Sequence, residues 1–275
     1  MIEIGRFNKL KVVKKVEFGV FLDGEEDGEI LLPHRSAPEN CEVGDELEVF
    51  IYRDSEDRLV ATTEIPFAQL GEFANLRVKA LEKVGAFLDW GLPKDLLLPF
   101  SEQTRELRIG QYALVFLYLD KSDRICGSMR LDRYIDKTPG NYEAEQEVDL
   151  IVAARTDLGF KALVNGRHWG MLYSNEVFTS LEIGQRTKGY IKSVRPDGKI
   201  DLSLQKFGHK GSDDIGEKIL ALLKARGGHL EINDKTAADT IYQLFGVSKK
   251  KFKMALGGLY KKRIVTIDDS GIRLN

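Results

Sequence analysis

The chain has 275 residues, of which 43% are hydrophobic and 31% charged, with a formal net charge of −2 at pH 7. This length and apolar content suffice for several cores, and no stretch approaches the roughly 20 apolar residues of a membrane span. The only cysteines, Cys41 and Cys126, are too few for a zinc site and favour no disulfide. We therefore expect a cytoplasmic protein that uses no metal or cofactor and has no membrane partner.

Glycines recur at two landmarks along the first three quarters of the chain. The first landmark is Gly19, Gly85 and Gly159, and the second is Gly44, Gly110 and Gly184. Both sets advance by 66 and then by 74 residues. Two landmarks with the same offsets predict three copies of one small module, followed by a tail.

Each module contains five short strand-like runs separated by turn-forming residues. The runs are 9–18, 20–22, 29–32, 46–53 and 58–63; then 76–84, 86–88, 95–98, 113–120 and 124–130; then 148–154, 160–164, 169–173, 186–194 and 199–204. Five strands in about 65 residues predict a small closed barrel of the oligonucleotide/oligosaccharide-binding kind. The glycine after the first strand is expected to permit a sharp bend where a side chain would clash.

The tail has a different composition. Residues 205–214 are polar and predict a linker, and helical spacing follows at 215–223 and 236–245. Ser248 is expected to cap a third helix that runs to about residue 262, before a hairpin at 264–267 and 272–274. Three helices and a two-stranded wing predict a winged-helix domain.

The predicted fold is therefore multidomain and mainly β. Three tandem five-stranded barrels span residues 1–65, 66–139 and 140–208, and an α+β winged-helix domain spans 212–275. This division follows from the repeat and from the change of pattern after the third module.

Three short segments resemble the ribosomal-protein S1-type RNA-binding domain. They are the glycine-centred strand around Gly19, the element Val43-Gly44-Asp45, and the ending Leu202-Ser203-Leu204. Three such modules followed by a winged helix resemble the conserved virulence factor B family of bacterial RNA-binding regulators. That resemblance covers essentially the whole chain and implies a non-catalytic regulator of gene expression.

The third module has the composition of a single-strand binding site, which combines rings for base stacking with cations along the phosphates. Residues 150–211 carry 10 basic and 5 acidic side chains. The predicted contacts in this module are Phe160, Lys161, Arg167, His168, Trp169, Tyr173, Lys188, Lys192 and Arg195. His168 is the weakest of these, because an isolated histidine is more often a satisfied turn residue.

The third helix of the tail is expected to contact phosphates. It carries Lys249, Lys250, Lys251 and Lys253, and no acidic residue occurs between Ser248 and Ile264. Phe252, Leu256 and Leu259 are expected to face inward. Arginine is nearly absent from this helix, so contact with the nucleic-acid backbone is favoured over recognition of specific bases. The simpler alternative is that the lysines form a solvated face that binds nothing.

The first module is acidic, with 8 basic and 16 acidic side chains in residues 1–65. Residues 23–27 place four carboxylates directly after Phe18 and Phe21, where they repel phosphate. We expect a protein partner there rather than RNA. The main alternative for the whole chain is a DNA-binding transcription regulator that reads duplex DNA with its winged helix.

Overall fold

The computed structural model describes residues 1–138, 140–177, 179–206 and 210–275, the side chains of 210–214 excepted. Its first 206 residues form three closed five-stranded barrels, and a small winged-helix domain follows. The predicted fold class is confirmed. The predicted boundaries after residues 139 and 208 fall on residues outside the described part of the chain.

The three barrels share one topology. The first contains β1 (Phe7–Val16), β2 (Gly19–Asp23), β3 (Glu29–Pro33), β4 (Glu46–Arg53) and β5 (Leu59–Thr62), joined around the barrel in the order β1-β2-β3-β5-β4. The second contains β6 (Phe73–Glu82), β7 (Gly85–Asp89), β8 (Leu96–Pro99), β9 (Tyr112–Leu119) and β10 (Ile125–Ser128). The third contains β11 (Glu147–Thr156), β12 (Gly159–Val164), β13 (His168–Tyr173), β14 (Arg186–Val194) and β15 (Ile200–Ser203).

The glycine that opens the second strand of each barrel is required by close backbone approach. Gly159 has φ +147°, and a Cβ on it would lie 2.1 Å from the carbonyl oxygen of Leu172. Gly19, with φ +155°, would place a Cβ 2.3 Å from the carbonyl oxygen of Leu32. A side chain cannot fit at either position, so the expected reason for the repeated glycine is confirmed.

The first two barrels share a hydrophobic cluster. Phe50 and Tyr52 of β4 pack edge-on against Trp90, which follows β7, with ring centroids 5.8 and 6.4 Å apart. The Nζ of Lys94 donates to the carbonyl oxygens of Arg53 and Asp54 across the same junction, at 3.0 and 2.6 Å. Apolar burial and satisfied polar contacts therefore join these barrels into one packed unit.

The second and third barrels also pack on each other. Phe73 and Leu114 from the second barrel form one buried cluster with Ile151 and Leu163 from the third. A guanidinium nitrogen of Arg186 donates to the carbonyl oxygen of Phe73 at 2.7 Å. The outward side chains of Ile151 on β11 and Leu163 on β12 are thus buried against a neighbouring barrel instead of facing water.

The winged-helix domain consists of α1 (Lys210–Ala225), β16 (His229–Leu230), α2 (Ala238–Phe245), α3 (Lys249–Lys261), β17 (Val265–Asp268) and β18 (Gly271–Leu274). The three strands form a sheet in the order β16-β18-β17. Its core includes Ile219, Phe245, Phe252 and Leu256, so α1, α2 and α3 cover one side of the sheet.

Two local predictions for the tail are wrong. The structure begins α1 at Lys210, inside the predicted linker of residues 205–214, of which 207–209 lie outside the described residues. Strand β16 was not predicted, because two residues carry no detectable periodicity. The predicted cap of α3 is confirmed, since the Oγ of Ser248 accepts a hydrogen bond from the backbone N–H of Lys251.

Candidate nucleic-acid interface

Strand register decides which side chains of the third barrel reach its outer face. Phe160 pairs with Leu172, which is buried in the barrel core, so Phe160 also points inward and packs against that core. The next pair, Lys161 and Met171, faces outward. The predicted aromatic Phe160 therefore packs against the barrel core, with the guanidinium of Arg155 6.0 Å from its ring centroid.

Trp169 lies on the outer face of β13 but contacts its own protein. Its Nε1–H donates to Oδ1 of Asp132 at 2.7 Å, and the Nζ of Lys161 lies 3.8 Å from the centroid of its ring system. Lys161 also donates to Oδ1 of Asp132, at 3.2 Å. Desolvation raises the pKa of the Asp132 carboxyl, but the hydrogen bonds from Lys161 and Trp169 outweigh it and hold that pKa below its usual value.

Tyr173 belongs to a polar cluster on the same face. Its hydroxyl accepts from a guanidinium nitrogen of Arg195 at 2.6 Å and donates to Asp201 at 3.3 Å. The Nε of Arg195 donates to the other oxygen of Asp201 at 2.9 Å. The ring of Tyr173 stays partly exposed on the outer face, so the structure brings two predicted contacts, Tyr173 and Arg195, together.

His168 has a structural role in this geometry. Its Nε2 lies 3.1 Å from the carbonyl oxygen of Thr138, and its Nδ1 lies 2.9 Å from the hydroxyl of Tyr142. A carbonyl oxygen can only accept, so Nε2 donates and Nδ1 accepts from Tyr142. Both ring nitrogens are thereby satisfied, whereas the adjacent predicted contact, Arg167, is exposed to solvent.

Two predicted cations of β14 lie in ion pairs. Lys188 contacts Asp149 at 2.7 Å, and its side chain is 62% exposed. Lys192 contacts Glu176 through a short hydrogen bond. The exposed pair of Lys188 and Asp149 contributes about 0–1 kcal/mol to stability, so a phosphate can replace this carboxylate at little cost.

Helix α3 presents its lysines to solvent, because Phe252, Ala255, Leu256 and Leu259 occupy the buried side. The inward positions predicted on this helix are confirmed. The lysine contacts are Lys249 to the carbonyl oxygen of Lys235 at 3.0 Å, Lys251 to Oε1 of Gln205 at 2.9 Å, and Lys253 to Oδ2 of Asp234 at 3.5 Å. Lys250 is exposed, and the described part of the chain gives it no acidic partner.

The contact between Lys251 and Gln205 positions α3 relative to the third barrel. Gln205 follows β15 by two residues, so the first turn of α3 lies beside the end of that barrel. The sequence predicted both surfaces but contained no signal that they adjoin. A contact between residues this far apart depends on the packing of the domains.

The equivalent face of the first barrel has a different chemistry. Phe21 pairs with Leu31 on the outside, and Phe18 is 60% exposed at a centroid distance of 6.3 Å from Phe21. A single turn of 3-10 helix directly after β2, Glu25–Asp27, presents three exposed carboxylates. The acidic turn follows the end of β2, whereas Phe18 precedes its start, so the two features lie at opposite ends of this strand.

Two cationic residues beside Trp169 were not predicted as contacts. Arg130 and Arg133 follow β10 of the second barrel and line the same groove as Trp169. The sequence pattern predicts Arg130 in the last strand of the second module, at 124–130, and relates it to no residue of the third module. No spacing signal connects them, since the two barrels meet only after folding.

Within the described residues, no helix is long and apolar enough to cross a membrane. The same residues contain no group of three or more His, Cys, Asp or Glu side chains arranged to hold a metal ion.

Comparison with known proteins agrees with this architecture. An S1 domain family model matches residues 4–64 and 70–130, and a CvfB-like winged helix domain model matches residues 217–274. Conserved virulence factor B of Staphylococcus epidermidis is 27% identical, over 98% of this chain and 94% of that protein. Uncharacterized protein YitL of Bacillus subtilis is 30% identical, over 92% of this chain and 87% of that protein.

A crystal structure of a Streptococcus pneumoniae multidomain protein with nucleic acid binding domains matches 99% of this chain and 98% of its own, with 26% identity and a TM-score of 0.43. S1 and winged-helix domains are nucleic-acid-binding types. These two relatives match most of this chain and most of their own length. The chain therefore belongs to the conserved virulence factor B family.

Proposed function

We propose that this chain is a non-catalytic regulator of gene expression that binds single-stranded RNA through its third barrel and α3. The observation that carries the proposal is the adjacency of these two surfaces. Lys251 reaches Gln205 at the end of the third barrel, so the lysine-bearing face of α3 and the barrel can contact one strand together.

Electrostatics supports phosphate contact by α3. The helix has no acidic residue, and one of its first-turn lysines, Lys250, is exposed without an acidic partner in the described structure. Neutralising phosphates releases counterions, so binding is expected to weaken as salt rises. Lysine binds phosphate as a flexible point charge, and this favours contact with the backbone over recognition of a base sequence.

The third barrel supplies the rings. Tyr173 and Trp169 lie on the outer face of β13, two residues from Met171 and on the same side of the strand. Base–aromatic stacking contributes about 1–3 kcal/mol per base and tolerates any sequence. Two rings and a lysine face thus fit a single strand better than a duplex, whose bases are already stacked.

The acidic first barrel is proposed to face a protein partner. Its surface carries three exposed carboxylates at Glu25–Asp27 and the exposed ring of Phe18, and so combines negative charge with an apolar anchor. This combination disfavours phosphate and fits a basic, apolar protein surface.

The proposal is tested by titrating the full chain with labelled oligouridine and with a duplex DNA at several salt concentrations. We expect tighter binding of the single-stranded RNA, an affinity that falls as salt rises, and no displacement of RNA by an equal concentration of duplex. Preferential binding of the duplex would instead support the transcription regulator, and binding of neither nucleic acid would overturn both.

A further inference from the structure

An open groove of about 460 Å³ lies between the second and third barrels. Its lining includes Arg130, Asp132 and Arg133 from the second barrel, and Ala153, Lys161 and Trp169 from the third. We call it the junction groove. Its volume is within the range of about 300–1,000 Å³ that is usual for small-ligand sites.

The junction groove carries more positive than negative charge. Arg130 is exposed, and its Nε donates to the carbonyl oxygen of Ser101 at 2.7 Å, while the described residues offer it no carboxylate. Arg133 pairs with Glu102, whose side chain is only 13% exposed. Arg130 is therefore held in place by a neutral contact, and its remaining guanidinium donors are available to an anion.

One carboxylate already marks an anion position at the edge of the groove. A single oxygen of Asp132 accepts from both Trp169 and Lys161, at 2.7 and 3.2 Å. The Asp132 side chain is nevertheless 80% exposed, and an ion pair this exposed contributes little to stability. An incoming phosphodiester carries the same single negative charge on two non-bridging oxygens, and because Arg130 offers it a second charged donor, it can displace the carboxylate from Lys161.

We propose that the junction groove binds a phosphodiester of single-stranded RNA, held by Arg130 and Lys161, and that the Asp132 carboxylate competes with it. Lys161 now covers one face of Trp169 at 3.8 Å. When Lys161 turns to the phosphate, that face becomes available to the adjacent base. This inference rests on the proposed function and extends the binding surface from the third barrel onto the second.

The test compares three variants of the full chain in their binding of a labelled oligouridine. Arg130→Ala removes a phosphate contact, and we expect a roughly tenfold weaker affinity and a salt slope smaller by about 0.7. Asp132→Asn removes the competing charge but keeps an acceptor for Trp169, and we expect binding up to about fivefold tighter. Arg108→Ala is the matched control, because Arg108 is exposed on the second barrel and does not line the groove.

A second measurement needs no substitution. The chain has two tryptophans, and Trp90 is 2% exposed in the junction of the first two barrels. Quenching by acrylamide therefore reports mainly on Trp169. We expect saturating oligouridine to protect Trp169 from the quencher, and unchanged quenching would contradict an occupied groove.

The outcomes separate this inference from the function on which it rests. If the unmodified chain binds oligouridine but Arg130→Ala behaves like Arg108→Ala and Asp132→Asn binds no tighter, the junction groove is wrong and the proposed function stands. If the unmodified chain does not bind oligouridine, the proposed function fails, and the groove assignment fails with it.

Discussion

The first and third barrels have the same strands in the same order, but they present opposite chemistry. The outward pair on the second and third strands is Phe21 and Leu31 in the first barrel, and Lys161 and Met171 in the third. The loop after the second strand is acidic in the first barrel. The inward side chains form the core that both barrels share, and the outward side chains differ and can determine which ligand each barrel binds.

Register explains how similar segments produce this difference. Counted from the glycine that opens the second strand of each barrel, Phe21 is the second residue and Phe160 is the first. Successive side chains of a strand point to opposite faces, so one step moves the ring from the outside to the core. An aromatic residue near this glycine therefore indicates base stacking only if its position in the strand places the ring on the outer face.

The largest expected effect tests the glycine that opens the second strand in both barrels. Gly19→Ala and Gly159→Ala should each lower the free energy of unfolding by at least about 2 kcal/mol, because a Cβ meets a carbonyl oxygen in both barrels. Urea denaturation measures the loss. Gly127→Ala is the control, since a Cβ there would be 3.5 Å from its nearest neighbours; a loss in only one barrel would contradict their equivalence.

The next largest effect tests whether the third barrel, and not the first, binds RNA. Trp169→Ala should weaken oligouridine binding by about 1–3 kcal/mol at both low and high salt, because stacking is not screened. Phe18→Ala, which removes a ring 60% exposed on the first barrel, should leave the affinity unchanged. Fluorescence anisotropy provides both values, and an equal loss in the two variants would remove the distinction between the barrels.

Much of the fold was predictable from the sequence, and less of the site. The strand positions followed from alternation and glycine spacing, since both are local signals. The partners of the predicted cations were not predictable. Asp132 lies 29 residues before Lys161 and follows the second barrel, so it contacts Lys161 only because the two barrels pack together. Beta pairing and domain contacts of this kind depend on packing, which no window of sequence contains.

A smaller effect separates the α3 lysines from those of the first barrel. Lys250→Ala combined with Lys253→Ala should reduce the slope of log affinity against log salt by about 1.4, since two phosphate contacts are lost. Lys9→Ala combined with Lys11→Ala removes two exposed charges from β1 and should leave the slope unchanged. Equal slopes for the two double variants would contradict phosphate contact by α3.

The smallest effect concerns the outer polar cluster of the third barrel. Tyr173→Phe removes a hydroxyl from Arg195 and Asp201, but Ser193 and Arg195 still donate to Asp201. The free energy of unfolding should change by less than about 1 kcal/mol, as expected for the loss of a partly exposed hydrogen bond. A larger loss in thermal denaturation would show that this cluster supports the fold and is not free for ligand recognition.

Ultraviolet crosslinking of the full chain to oligouridine, followed by mass spectrometry of the crosslinked peptides, is the most direct measurement of the central claim. The account predicts crosslinks in the peptides that contain Trp169, Tyr173 and the first turn of α3, with residues 1–65 unlabelled. Crosslinks concentrated at Phe18 and Phe21, with the third barrel and α3 unlabelled, would contradict it.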